Sequence, residues 1–165
     1  MGTLDIDQPP GPVPEANRPG HHPEVEQDKP RGLPGRPRGR HRFRFDPALR
    51  LPALLLGVTP DQASVDVGDD DLVVRFGRWS LRTPLDNIAG AEITGPYSPL
   101  KVGGPPRLSL ADRGITFGTS TQGGVCIQFL SPVPAIAPVP WIKHPAATVT
   151  VEDPEALVAE LAALP

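Results

Sequence analysis

Proline restricts this chain more than any other residue. There are 24 in 165 positions. Each lacks an amide hydrogen and holds φ near one value, which disfavours it in helix interiors and central strands. Nine fall within residues 1–40, where the large aliphatic residues are only Leu4, Ile6, Val13, Val25 and Leu33. Ordering a chain costs roughly 1–2 kcal/mol per residue, and so little apolar surface cannot offset that. Residues 1–41 are therefore expected to be a disordered tail, and residues 42–165 the folded domain. Two later proline clusters, 96–106 and 132–145, are expected to be connections. The first is long enough to suggest a binding loop over 97–106.

Between these clusters the hydrophobic period is that of strands. In "RFRFD" (42–46), Phe43 and Phe45 alternate with Arg42 and Arg44, so one face can pack while the other stays basic. "PALLLGV" (52–58) is a short apolar run expected to be a fully buried strand. "ASVDV" (63–67), "LVVRF" (72–76) and "WSLRT" (79–83) each place alternate apolar residues on one face, and the last two read as a hairpin about Gly77. A weaker strand is expected over 89–94. "RLSL", "ITF" and "VCIQF" follow, joined by "ADRG" and "GTSTQGG", both read as hairpin turns. "TVTV" (148–151) is the last strand.

The C-terminus reads as a helix over 153–164: Asp153 caps it, Pro154 suits its first position, and Leu157, Val158, Leu161 and Leu164 form one apolar stripe. The expected fold class is mainly β, a small antiparallel barrel or two orthogonal sheets closed by this single helix.

Charge is segregated along the chain. Residues 1–28 carry a net −5, residues 29–50 a net +7 and the remainder −5, which sum to the overall −3. The basic block is the one electrostatic feature suited to an acidic partner. Arg31, Arg36, Arg38, Arg40, Arg42 and Arg44 are its candidate contacts, able to meet an anionic membrane or a nucleic acid.

Catalytic and metal chemistry find little support. "GTSTQGG" has no basic residue and matches no phosphate-binding loop pattern. Cys126 has no histidine closer in sequence than His144, and its position opposite the face of Val125, Ile127 and Phe129 suits a buried, inert thiol. His21 and His22 stand in the tail without partners at ligand spacing, and "DDD" (69–71) lacks the spaced acids and distal glutamate of a calcium loop. No catalytic residue, cofactor or metal is expected, and the chain is read as a non-enzymatic binding or scaffolding domain for a protein or peptide. The alternative is a peripheral membrane or nucleic-acid adaptor working through residues 29–50.

One cysteine excludes an internal disulfide. The acidic, proline-rich start lacks an apolar leader core, and the longest apolar run, 51–58, is far below the ~18–20 residues needed to cross a bilayer. A cytoplasmic protein is expected.

The segments "VRFGRWSLRTPLDNIAGAEITGPY", "PPRLSLADRGITF", "GGVCIQF" and "HPAATVTVEDPEALVAEL" together resemble an uncharacterised actinobacterial family of small proteins. The strand run that ends in the C-terminal helix is similar to bacterial pleckstrin-homology-like domains. The likeness spans residues 43–164 and implies two orthogonal antiparallel sheets with a capping helix. Lipid-binding pleckstrin-homology domains carry basic residues around the first hairpin. "GVTPDQASVDV" has none, so recognition of a phosphoinositide headgroup is not expected.

Overall fold

Two sheets share one core in the computed structural model, which describes residues 38–108, 113–135 and 142–164. The first sheet is an antiparallel meander of β1 (Gly39–Arg42), β2 (Ala63–Val67), β3 (Asp71–Phe76) and β4 (Trp79–Pro84), in that spatial order. The second contains β5 (Ile88–Thr94), β6 (Arg107–Leu108), β7 (Ile115–Phe117), β8 (Gly124–Pro134) and β9 (Lys143–Val149), in the order β5-β8-β9-β7-β6. The fold is mainly β, as expected, and the sheets do not close into a barrel. Three helices complete it: α1 (Pro47–Leu55), α2 (Pro99–Val102) and α3 (Pro154–Ala162).

The alternation in β2, β3 and β4 sorts residues as it should. Val65, Val67, Leu72, Val74, Phe76 and Leu81 are buried on the inner side. Phe76 joins the layers, its ring 5.2 Å from that of Phe43 and 5.7 Å from that of Phe117. From the second sheet, Val125, Ile127, Ala147 and Val149 enter the same cluster. α3 packs against β5 and β8, with Leu157 and Leu161 buried and the Asp153 carboxylate accepting from the Ala156 amide at 2.9 Å. Glu160 crosses to the first sheet and meets His41 Nε2 at 2.6 Å.

Several expectations are corrected. Strand β1 already includes Gly39, Arg40 and His41, so the folded domain begins before residue 42. The reason is pairing: Gly39 lies opposite Val67 and Arg40 opposite Asp66. The rest of the expected tail, 1–37, lies outside the described residues. "PALLLGV" is no buried strand, since residues 47–55 form α1 and Leu51, Leu54 and Leu55 face solvent.

"GTSTQGG" is not a hairpin turn either. β9 lies between β7 and β8 and pairs with β7 in parallel, which makes the loop a crossover. The second proline cluster is partly strand. Pro132 and Pro134 lie on β8 beyond Phe129, where pairing with β5 ends, and Pro145 precedes the β9 residues that pair with β7. Pro132 and Pro145 fall where the β8–β9 register shifts between Gln128 and Val133, and Pro134 pairs with Lys143 of β9 alone, places where a missing amide hydrogen is tolerated. The loop over 97–106 contains α2, whose Val102 is buried against Gly118.

Candidate functional site

The described arginines of the basic block lie on and just beyond the first strand. Arg40 and Arg42 point away from the core, level with Asp66 and Ser64 of β2. Asp66 is buried at the centre of this outer face, with Arg40 Nε 2.9 Å from one carboxylate oxygen and the Arg75 guanidinium and Ser64 hydroxyl on the other. Arg38 pairs with Asp69 at 2.8 Å, and Arg82 pairs with Asp71.

Arg44 donates to the Gln122 amide oxygen at 2.9 Å and to the Glu152 carbonyl. Of the six candidate contacts, Arg42 is exposed without an ion-pair partner among the described residues. Arg31 and Arg36 lie outside them. The face holds Arg38, Arg40, Arg42, Arg75 and Arg82 against three aspartates, and most of its positive charge is satisfied from within the fold.

The more prominent surface is α1, and the way the chain anchors it explains its orientation. At its start, the Asp46 carboxylate accepts from the Ser120 hydroxyl at 2.8 Å, the Thr121 amide at 2.7 Å and the Thr121 hydroxyl at 2.8 Å, while the Asp46 amide donates to the Thr119 carbonyl. Partial burial acts to raise the Asp46 pKa. The Thr121 amide, the two hydroxyls and the positive Arg44 more than offset it and hold the carboxyl below its ordinary value of 3.8.

Pro47 occupies the first turn, where no amide hydrogen is needed. At the other end the Gly57 amide donates to the Leu54 carbonyl and the Val58 amide to that of Ala53. Gly57 has φ +75°, so this is a Schellman stop. Ala53 and Val58 are the buried residues here. Ala53 is the buried residue of this anchored helix, Leu49 and the C-terminal Leu56 are partly buried, and Leu51, Leu54 and Leu55 stay on the outside.

Those leucines are 65%, 58% and 79% exposed at Leu51, Leu54 and Leu55. Spacing of three and four residues puts them on one side of the helix. Beside them, at the end of α1 and the β3–β4 turn, lies an open groove of about 720 Å³, with Leu55, Leu56, Asp61, Gln62, Arg75 and Arg78 among its lining residues. The Arg78 guanidinium lies 4.8 Å from the Trp79 ring centroid. Arg50 is an exposed cation on α1 itself. Arg50, Arg75, Arg78 and the leucine ridge belong to the site, and the sequence reading did not bring them together.

The chemistry weighed from sequence is dispersed. Cys126 is buried opposite Thr148 of β9, whereas His144 is four residues further back on that strand, about 13 Å at ~3.3 Å per residue. The structure does not join them. His144 is itself buried, with Nδ1 3.2 Å from the Arg113 carbonyl. Burial pushes the Tyr97 phenol up, against the opposing effect of its hydrogen bond with Thr94, and Cys126 nearby adds to the rise. Among the described residues no group of three or more His, Cys, Asp or Glu is placed to hold a metal ion, and no helix is long and apolar enough to cross a membrane. Comparison with protein-family models, curated proteins and solved structures returns no match for the chain.

Proposed function

We propose that this chain is a non-catalytic docking domain that engages its partner through the outer side of α1 and the adjoining groove. The observation that carries this reading is the leucine ridge. Leu51, Leu54 and Leu55 remain in water although the helix bearing them is fixed at both ends, and exposed apolar patches of this kind mark interaction surfaces. The arginine stretch supports the reading less, because Arg38 and Arg40 are engaged by Asp69 and Asp66. The resemblance of residues 43–164 to bacterial pleckstrin-homology-like domains agrees with a docking role. The single cysteine suits a cytoplasmic setting.

The test is site-specific photo-crosslinking from position 55 of the full chain in extract of the native source. A discrete adduct is expected that excess unlabelled wild type competes away and a Leu51→Asp/Leu54→Asp/Leu55→Asp variant does not. Equal competition by wild type and variant would refute the reading.

A further inference from the structure

The end of the first sheet that carries α1 differs in charge from the opposite end. Arg50 stands among the exposed leucines, and Arg78 occupies the β3–β4 turn across the groove, with Arg75 just inside it. Asp61 is the acid lining this groove. The β2–β3 turn, which a meander necessarily places at the other end of the strands, carries Asp69, Asp70 and Asp71, and Asp86 follows β4 at that same end. Asp69 and Asp71 are held in ion pairs with Arg38 and Arg82, so the far end contributes Asp70 and Asp86, while Arg50 and Arg78 lie at the end with the exposed leucines. A second apolar group lies next to α1: Leu49 sits against Gly103 at the end of α2, and Leu100 of α2 is exposed beside Lys101.

We propose that this end is a peripheral membrane surface, on which Leu51, Leu54 and Leu55 insert shallowly into an anionic bilayer while Arg50 and Arg78 meet its headgroup charge. The inference rests on the reading of α1 as the docking surface and assigns that surface its partner.

Three observations favour a bilayer over another protein. The three leucines expose on the order of 300–400 Å² in all, the size of a functional surface patch. That is less than the ~800 Å² per partner, polar and apolar together, that a stable protein–protein interface buries. The ridge is convex and flanked by cations, the pattern of an interfacial helix that combines apolar insertion with attraction to anionic lipid. Asp70 and Asp86, at the far end of the sheet, would be repelled by the same surface and so orient the domain with α1 downward.

The groove does not supply a headgroup pocket. Arg75 is already bound to Asp66, and Asp61 adds negative charge. Attraction should follow the charge density of the bilayer and not the identity of the headgroup.

The experiment is vesicle co-sedimentation of the full chain, using phosphatidylcholine alone, phosphatidylcholine with about 30 mol% phosphatidylserine, and a phosphoinositide mixture matched in charge. Wild type should partition at least roughly tenfold more strongly onto the phosphatidylserine vesicles than onto phosphatidylcholine, and no more strongly onto the phosphoinositide. Raising salt from about 0.1 M to about 0.5 M should weaken binding severalfold. Leu51→Asp/Leu54→Asp/Leu55→Asp should lose roughly tenfold or more. Arg82→Gln, which removes an exposed cation from the outer face of β4 and not from this end, should retain at least half of the binding.

In a Leu55→Trp variant, brominated acyl chains should quench fluorescence beyond the wild-type level, reporting insertion. Wild type that ignores anionic vesicles, or a leucine variant that binds them as wild type does, overturns the inference. A competable protein adduct at position 55 without vesicle binding also overturns it while leaving the docking reading intact.

Discussion

Asp46 joins parts of the chain that local sequence keeps far apart. One carboxylate gathers the crossover residues Ser120 and Thr121 beside the start of α1, where the Asp46 carbonyl accepts from the Leu49 amide. Replacing it by Asn puts an amide donor where three donors converge. The loss is about 1–2 kcal/mol, a fall in Tm of roughly 4–8 °C by calorimetry at pH 7. The pH dependence has a definite sign. The folded-state carboxyl lies below its ordinary 3.8, so its contribution is fully present above that value and is lost as pH falls through the lowered one. The stability gap between wild type and Asp46→Asn should close as denaturant melts are moved from pH 5 towards pH 2. A constant gap would mean that the ionised form is not what the loop binds.

Gly77 is as closely constrained. Its φ is +59°, and a Cβ there would lie 2.7 Å from the Gly57 carbonyl oxygen. Gly77→Ala should cost about 1–3 kcal/mol and loosen the contact between the β3–β4 turn and the end of α1. A chemical melt that matches wild type would contradict that contact.

At the scale of elements, α3 and α1 follow the same grammar, an aspartate, a proline and then helix. In α3 the signal was legible because the apolar residues point inward at helical spacing. Only Leu157 and Leu161 of its stripe are fully buried, so Leu157→Ala should cost about 2–5 kcal/mol and Leu164→Ala clearly less. Equal effects on Tm would put the stripe in the wrong orientation. Removing residues 153–165 should leave an aggregating domain.

In α1 the same grammar was hidden. Pro52 interrupts the pattern, and a run of leucines gives no sign of which way it faces. The usable signals were the spacing of Leu51, Leu54 and Leu55 and the stop at Gly57. The strands β2, β3 and β4 were legible because each inward residue alternates with a polar one. The place of β9 between β7 and β8 was not, since parallel pairing joins residues more than thirty positions apart and leaves no local trace.

At the scale of the whole molecule, the sequence showed the charge of the basic block but not its neutralisation. Asp66 reads in "ASVDV" as an ordinary outward residue, yet the sheet surrounds it with Arg40 and Arg75. Among the described residues of the block, Arg42 on β1 and Arg50 on α1 are exposed without an ion pair. Both the docking reading and the membrane inference require residues 47–55 to be an anchored helix with its leucines in water.

Thermal unfolding of the Leu51→Asp/Leu54→Asp/Leu55→Asp variant tests that requirement most directly. Exposed sites should change stability by no more than about 0.5 kcal/mol each, so the account predicts a cooperative transition within a few degrees of wild type. Three aspartates in a buried strand would each leave a charge without solvent, and a lost transition or a fall of more than about 15 °C would contradict it.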